Sequence, residues 1–238
     1  MSKSLVIIPT YNEIENLASI VERVRRSSDI DILVVDDASP DGTGKLADAI
    51  SESDAHVFTL HRSAKAGLGP AYIAGFRWAF ERDYEWIAEM DADGSHDPAV
   101  LATLVDIAQH SDAALVIGSR WVQGGAIAGW SRFREAISRT GNAYARSVLR
   151  SRIHDLTAGF RVMRADALRE LDLSTIASSG YCFQIEIAKR IEATGATIVE
   201  HPIIFREREA GVSKMHIGIV LEALWRITVW AFTGLRRR

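Results

Sequence analysis

The sequence predicts an α/β fold in which helices cover both faces of a mostly parallel β-sheet. Short continuous apolar runs alternate along the chain with segments whose apolar residues recur at helical spacing. Polar motifs follow several of the apolar runs directly, where the carboxyl ends of the strands would lie. Open α/β sheets bind ligands in the crevice beyond those ends, so we expect one site assembled from several loops.

The alternation is clearest in the part of the chain before Arg120. The predicted strands are Leu5–Ile8, Ile32–Val35, Val57–Leu60, Trp86–Met90 and Ala114–Ile117. The predicted helices are residues 14–24, 70–80 and 98–108, the last capped by Asp97 with Pro98 at its first position. This order of strands and helices implies right-handed crossovers between parallel strands.

Beyond Arg120 the pattern is less regular. Residues 123–129, QGGAIAG, are typical of a flexible loop, and residues 130–149 are typical of a long helix. No linker is recognisable, so we interpret residues 1–215 as one domain and residues 216–238 as a tail. With 47% apolar residues among 238, the chain can bury a sizeable core.

The charge distribution argues against a nucleic-acid-binding protein. The net charge is −3, but residues 206–238 hold seven Lys and Arg against three Glu, so the tail region carries +4 and the rest −7. Proteins that bind nucleic acid usually present a broad basic face, which such an acidic body lacks. The single Cys182 cannot form an internal disulfide and the N-terminus has no secretory signal pattern, so a cytosolic setting is expected.

Residues 216–238 are predicted to form a basic amphipathic helix that lies on a membrane surface or on a partner protein. A transmembrane helix needs about 20 mostly apolar residues, and Glu222 and Arg226 interrupt this segment. A basic apolar helix suits an anionic membrane surface instead. The residues that carry this prediction are Ile217, Val220, Leu221, Leu224, Trp225, Trp230, Ala231 and Arg236–Arg238.

Two carboxylates one residue apart, Asp91 and Asp93, follow the predicted strand Trp86–Met90. Residues i and i+2 of a strand share a face, so both carboxylates are expected to point the same way. Their repulsion favours a cation beside them. Capping does not explain the pair, because Asp97 already caps the following helix. A hard cation such as Mg²⁺ or Mn²⁺, completed by phosphate oxygens and water, fits this spacing.

Polar residues after the first two strands are candidates for binding a nucleotide. Asp37 could accept hydrogen bonds from nucleobase N–H groups or a ribose hydroxyl, although the loop DDASPDGTG also fits a plain turn. Tyr11 could lie against a base or ribose. Glu13, taken alone, is more simply read as a favourable charge in the first turn of a helix.

Four basic residues, Lys65, Arg120, Arg208 and Lys214, could supply positive charge for a phosphate-rich substrate. Each taken alone is more simply read as a solvated surface residue. Arg134 and Ser138 lie four residues apart, hence on one face of the predicted long helix. An Arg fork matches phosphate geometry, while an ordinary polar helix face explains the spacing equally well.

Taken in order, the motifs PTYNE, VVDDASPDGT, MDADGSH, GSR, AGFR, FQIE and GVSK resemble those of the inverting family 2 glycosyltransferases of GT-A type. More narrowly they are similar to the polyprenol (dolichyl) phosphate mannose synthases. The resemblance runs from about Leu5 to Met215 and implies that residues 1–215 form a glycosyltransferase catalytic domain. It implies transfer of mannose from GDP-mannose to a polyprenyl monophosphate with inversion, giving β-mannosyl phosphoryl polyprenol.

The resemblance also assigns roles to residues. The nucleotide pocket would be formed by Pro9, Tyr11, Glu13, Val35 and Asp37, and the D-x-D metal motif by Asp91, Ala92 and Asp93. The donor diphosphate would be held by Arg208 and Lys214, and the acceptor phosphate by Arg120, Arg134 and Ser138. Ser95 stands where some relatives carry a Gln metal ligand, so it is a further candidate ligand.

Two other functions stay open on the sequence alone. Asp37 could accept hydrogen bonds from either guanine or uracil, so a polyprenyl phosphate glucosyltransferase using a UDP-sugar is one alternative. A non-catalytic nucleotide-binding scaffold anchored by the tail is the other. Some relatives continue into transmembrane helices, so this chain is expected at the cytoplasmic face of a membrane, bound peripherally or docked on a separate membrane protein.

Overall fold

The computed structural model describes residues 3–176, 178, 180–208 and 217–233. The strands are β1 Ser4–Thr10, β2 Asp31–Asp36, β3 Val57–His61, β4 Trp86–Glu89, β5 Ala113–Ser119, β6 Ala126–Ala128, β7 Arg161–Arg164, β8 Thr197–Pro202 and β9 Ile204–Arg206. The helices are α1 Leu17–Ser27, α2 Thr43–Ser53, α3 Leu68–Phe80, α4 Pro98–His110, α5 Arg132–Val148, α6 Ala165–Arg169, α7 Tyr181–Ala193 and α8 Ile217–Thr233, with a 3₁₀ turn at Leu173–Thr175.

The main sheet has seven strands in the order β3-β2-β1-β4-β7-β5-β8. Strands β1 to β4 pair in parallel, as do β5 and β8, while β7 runs antiparallel between β4 and β5. The predicted α/β class with a mostly parallel sheet is therefore confirmed. Because β7 is reversed, its first residue lies at the same sheet edge as the carboxyl ends of its neighbours.

Alternate residues of the buried strands supply two cores, one on each face of the sheet. Leu5 and Ile7 of β1 pack with Phe76 of α3, whereas Val6 and Ile8 belong to the core that α1 and α4 cover. This alternation follows from the two-residue period of a strand. Strands covered on both faces therefore read as continuous apolar runs in the sequence.

The predicted strands and helices agree with the structure to within a few residues, but one predicted loop is wrong and several elements were not predicted: α2, β7, α6, α7, β8 and β9. Residues 123–129 are not a plain flexible loop, because they contain β6, which pairs in parallel with β9 in a second, two-stranded sheet. Helix α2 was not predicted, because residues 43–53 have few apolar residues to give a helical pattern. The predicted cap is confirmed: the Asp97 side chain accepts a hydrogen bond from the Ala99 amide at 3.1 Å.

Helix α8 packs against α5 and α7. Ile227 is buried there, and the Tyr144 and Thr228 hydroxyls are hydrogen-bonded at 2.6 Å. Two large apolar side chains of α8 remain exposed, Trp225 at 69% and Phe232 at 87%. Within the described ranges, no helix is both long and apolar enough to cross a membrane.

A buried guanidinium, that of Arg161 at the start of β7, ties two loops to the sheet edge. The side chain is fully buried and donates hydrogen bonds to the main-chain carbonyls of Ala158 at 2.5 Å, Leu156 at 2.6 Å and Gln184 at 2.7 Å. Across the β4–β7 pairing Arg161 lies opposite Glu89. One side chain thus fixes the loop before β7 and the start of α7 relative to the sheet.

We expect Arg161→Met to lower the free energy of unfolding by about 3 kcal/mol or more, because the substitution leaves three buried carbonyls without their donor and removes the positive charge that opposes Glu89. Urea unfolding measures the change. The matched control is Arg164→Met in the same strand, whose side chain is 40% exposed and lies 3.9 Å from its nearest carboxylate. That variant should change stability by no more than about 0.5 kcal/mol. Equal effects of the two substitutions would contradict the anchoring role.

Candidate active site

A cleft of about 430 Å³ opens at the carboxyl ends of β1, β2, β4 and β5. Loops from each of these strands contribute to its wall, as expected for an open α/β sheet. The sequence-predicted residues that line it are Pro9, Tyr11, Glu13, Asp37, Lys65, Asp91, Ala92, Asp93, Ser95, Arg120, Arg134 and Arg208.

Two predicted site residues within the described part of the chain are not among those that line the cleft. Val35 is fully buried in the core on the α3 face of the sheet, so its side chain does not reach the cleft wall. Ser138 lies one turn beyond Arg134 on α5, where its carbonyl accepts a hydrogen bond from the Asn142 amide at 3.1 Å. Lys214 lies outside the described residues.

The strand order sets these groups in a row along the sheet edge. Asp37 follows β2, Tyr11 and Glu13 follow β1, the carboxylate pair follows β4, and Arg120 follows β5. The nucleotide candidates therefore lie at one end of the cleft and the acceptor-phosphate candidates at the other. The carboxylate pair lies between them.

The environment of the carboxylate pair disfavours its full ionisation. Burial, and then the charges of Asp93 and Glu89, raise the pKa of Asp91 to about 7, against the opposing charge of Arg208. Asp93 is buried; its Oδ1 accepts the Ser95 amide at 3.0 Å, and its Oδ2 lies 3.5 Å from Arg208 Nη2. A cation bound beside the two carboxylates would offset this repulsion.

The donor chemistry of this pair fits a divalent cation with oxygen ligands. Within the part of the chain that the structure describes, no group of three or more His, Cys, Asp or Glu residues could hold a metal by itself. A cation bound to Asp91 and Asp93 would therefore complete its shell with ligand oxygens and water. Mg²⁺ and Mn²⁺ commonly use few carboxylates in this way when they bind together with phosphates.

His96 supports the carboxylate pair as a neutral side chain. Burial lowers its pKa to about 4, with the Arg120 charge acting in the same direction. Its ring stacks on Phe160 at a centroid distance of 4.8 Å, and its Nδ1 accepts a hydrogen bond from the Asp91 amide at 3.2 Å. No pattern in the sequence assigns His96 a role, because its contacts depend on tertiary packing.

At the nucleotide end, Asp37 anchors the loop that carries Lys65. Its carboxylate accepts hydrogen bonds from Arg62 Nη1 at 2.6 Å and from the Ala66 and Gly67 amides at 2.9 and 2.8 Å. Three of the roughly four acceptor positions of a carboxylate are thus occupied. Lys65 Nζ lies 3.7 Å from the centroid of the Tyr11 ring, in a cation–π contact.

At the other end, Arg120 is held by a buried carboxylate that sequence analysis did not single out. Asp155 accepts hydrogen bonds from Arg120 Nε and Nη2, both at 2.7 Å, and Thr157 Oγ1 accepts another from Nη2 at 2.9 Å. Burial alone would raise the pKa of Asp155, but the charge and hydrogen bonds of Arg120 hold it below its ordinary value. The guanidinium is therefore fixed in orientation before any ligand binds.

Arg134 reaches the same end of the cleft from α5. Its guanidinium carbon lies 3.9 Å from the centroid of the Trp130 ring, and its Nη1 donates to Glu207 Oε1 at 3.0 Å. Trp130 also lines the cleft, as do Thr157 and Phe205. The motif AGFR marked this region in the sequence, but the bond between Arg120 and Asp155 joins residues 35 apart and has no local signal.

Comparison with known proteins identifies the family. Residues 5–172 match glycosyl transferase family 2. The chain is 50% identical over 234 residues to the polyprenol monophosphomannose synthase of Mycolicibacterium smegmatis. The matched region covers 98% of this chain and 88% of that protein. The chain is also 51% identical over 239 residues to the undecaprenyl-phosphate mannosyltransferase of Micrococcus luteus, covering 98% of each. The chain belongs to glycosyltransferase family 2.

A solved structure agrees with the fold of this glycosyltransferase. Glucosyl-3-phosphoglycerate synthase from Mycobacterium tuberculosis, crystallised with Mn²⁺ and UDP-glucose, superposes with a TM-score of 0.69 at 18% identity, covering 99% of this chain and 80% of that one. The predicted GT-A type fold and the glycosyltransferase class are confirmed. The resemblance to polyprenol phosphate mannose synthases is also confirmed. Both relatives are enzymes, so the comparison favours a glycosyltransferase over a non-catalytic scaffold.

The raised pKa of Asp91 predicts a pH-dependent difference in stability between this glycosyltransferase and its Asp91→Asn variant. Between about pH 4 and pH 7 the unfolded state loses the Asp91 proton while the folded state keeps it. As the pH rises through this range, the free energy of unfolding of wild type should therefore fall relative to that of Asp91→Asn, by more than about 1 kcal/mol in total. Above pH 7 the difference between the two proteins should level off.

Urea unfolding in EDTA from pH 4.5 to 8 measures this difference in the metal-free protein. Asp112→Asn is the control, because its side chain is 96% exposed. The control should show no such trend relative to wild type. A difference between wild type and Asp91→Asn that stays constant with pH would contradict the raised pKa.

Proposed function

We propose that this glycosyltransferase transfers mannose from GDP-mannose to a polyprenyl monophosphate with inversion, giving β-mannosyl phosphoryl polyprenol and GDP. The observation that carries the proposal is the row of groups in the cleft: nucleotide candidates, then Asp91 and Asp93, then Arg120 and Arg134. The two relatives at about half identity support mannose and a polyprenyl phosphate, since their names state both.

In this proposal the donor lies along the nucleotide end and the centre of the cleft. Tyr11, Asp37 and Lys65, with Pro9 and Glu13, contact the nucleoside. Asp91 and Asp93 hold Mg²⁺ or Mn²⁺, with Ser95 as a further candidate ligand. When bound, the cation neutralises charge that grows on the departing diphosphate.

The nucleophile is an oxygen of the acceptor phosphate, which attacks the anomeric carbon of mannose. The new bond joins that oxygen to C1, and the bond from C1 to the diphosphate breaks, so GDP leaves with the electron pair. A phosphate with a second pKa near 6 is largely deprotonated at neutral pH. The enzyme therefore needs no strong general base, and the main demand on it is to stabilise the leaving group and bring two anions together.

The basic residues of the cleft divide these tasks. Arg208, 3.5 Å from Asp93, lies on the diphosphate side, where Lys214 is proposed to join it. Arg120 and Arg134 bind the acceptor phosphate. Because Asp155 already fixes Arg120, little reorganisation is needed when the acceptor arrives.

We expect Asp93→Ala to lower mannose transfer from GDP-mannose to a polyprenyl phosphate in detergent by at least about a hundredfold, because the diphosphate loses its charge compensation. Circular dichroism checks that the variant is folded, and Asp112→Ala is the matched exposed control. Unchanged turnover of Asp93→Ala would contradict the metal role. Turnover by wild type with UDP-glucose but not GDP-mannose would instead contradict the proposed donor.

We also propose peripheral binding at the cytoplasmic face of a membrane, with docking on a separate membrane protein as the alternative. The exposed Trp225 and Phe232 of α8 support this, together with the three Arg residues 236–238. Removing the tail is a poor test, because α8 packs against α5 and α7.

The double substitution Trp225→Ser and Phe232→Ser should weaken binding to phosphatidylglycerol-containing vesicles by at least about tenfold, since burying each aromatic side chain contributes about 1.5–3 kcal/mol. Vesicle flotation measures the bound fraction. Ile14→Ser, an exposed apolar residue outside α8, should leave flotation near the wild-type level. If the double variant floats as wild type does, α8 is not the membrane contact.

A further inference from the structure

Buried polar groups without partners cluster behind the carboxylate pair. Among the described residues, no hydrogen-bond partner is found for either carboxylate oxygen of Glu89, for the side-chain amide atoms of Gln184 or for the Tyr72 hydroxyl. All three side chains are buried. Native proteins seldom leave such groups unsatisfied, so this cluster calls for a ligand or water.

The three side chains are neighbours. Gln184 is tied to Arg161 by its main-chain carbonyl, and Arg161 lies opposite Glu89 in the β4–β7 pairing. Burial raises the pKa of Glu89, and the charge of Arg161 and then a hydrogen-bonding interaction with the Gln184 amide lower it. The amide therefore lies beside the carboxylate, in a contact longer or more bent than an ordinary hydrogen bond. The charge of Glu89 also raises the pKa of Tyr72, after the larger effect of burial.

Gln184 is the member of this cluster that a ligand in the cleft can reach. It lines the cleft together with Gly180, four residues earlier at the start of α7, whereas Glu89 and Tyr72 do not line it. Glu89 lies on β4 only two residues before Asp91. Gln184 therefore forms part of the inner wall of the cleft, with its buried amide behind the surface, close to where the diphosphate is proposed to end.

The chemistry of this wall favours a hydroxyl over a phosphate. An amide offers one acceptor and one donor group, and a sugar hydroxyl can satisfy either. A phosphate would face the Glu89 carboxylate behind the amide and be repelled. The proposed phosphate sites are instead marked by Arg208, Arg120 and Arg134, and the nucleoside lies toward β1 and β2.

We propose that Gln184 binds a hydroxyl of the donor hexose and is a specificity-determining residue of this glycosyltransferase. The inference rests on the proposed nucleotide-sugar donor. It concerns a ground-state contact with the sugar, so binding can test it without turnover.

The test compares Gln184→Met with wild type by isothermal titration of GDP and GDP-mannose in the presence of Mn²⁺. Met has a similar length and is a good helix former, and the main-chain bond to Arg161 survives the substitution. We expect the Kd for GDP-mannose to rise at least about tenfold while the Kd for GDP stays within about twofold, because only the sugar loses its partner.

Deoxy analogues identify the hydroxyl. GDP-mannose analogues lacking one hydroxyl at a time should include one that binds wild type at least about tenfold more weakly than GDP-mannose. That analogue should bind Gln184→Met as well as GDP-mannose does. Gln184→Asn, which keeps a shorter amide, is a second variant and should show a smaller loss for GDP-mannose, again with GDP unchanged.

The outcomes separate this inference from the proposed function. If Gln184→Met binds GDP and GDP-mannose with wild-type affinity, the amide is satisfied by water and the inference fails. If it loses affinity for both to the same extent, Gln184 has only a structural role and the inference also fails. If wild type binds UDP-glucose and not GDP-mannose, the proposed donor is wrong, and the same comparison with UDP and UDP-glucose then decides the role of Gln184.

Discussion

The site depends on like-charge repulsion among carboxylates gathered at the end of β4. Glu89, Asp91 and Asp93 lie within a stretch of five residues. Because they are buried, water does not screen the repulsion between their charges. The protein compensates two of them, with Arg161 opposite Glu89 and Arg208 beside Asp93. Burial nevertheless raises the pKa of Glu89 to about 7, and burial together with the charges of Asp93 and Glu89 raises the pKa of Asp91 to about 7, against the charge of Arg208. A divalent cation held by Asp91 and Asp93 would offset the remaining repulsion.

The two ends of the cleft differ in how their basic residues are held. Arg120 is buried, and a bidentate pair with Asp155 fixes it, while Glu200 in turn accepts the main-chain amide of Asp155 at 3.0 Å. Lys65 is exposed and lies on a loop that Asp37 anchors. The Arg120 guanidinium is therefore already oriented for the acceptor phosphate that we propose. The exposed Lys65 side chain, by contrast, can change its contacts when the proposed donor binds.

The sequence predicted those features that have a local cause. The strands before the cleft, the Asp97 cap and the position of Asp91 and Asp93 all follow from patterns within a few residues. Pairings between distant segments could not be predicted in this way. Asp155 binds a residue 35 positions earlier, and β6 pairs with a strand about 80 positions later, so neither leaves a periodic signal. Val35 shows another limit: the motif around it matches, but its side chain faces the core.

Lys65 and Tyr11 contact each other at the nucleotide end of the cleft. A cation–π contact contributes about 0.5–1 kcal/mol at an exposed site, which a diphosphate can readily exceed as a partner for the ammonium group. If the nucleoside stacks on the ring face that Lys65 now covers, Lys65 must leave it as the donor binds. The Lys65 ammonium group would then be free to contact the diphosphate of the proposed donor. Nucleoside stacking and diphosphate binding would thus be coupled through Lys65. Stacking would displace the Lys65 ammonium group from the Tyr11 ring, and the diphosphate would bind the displaced group.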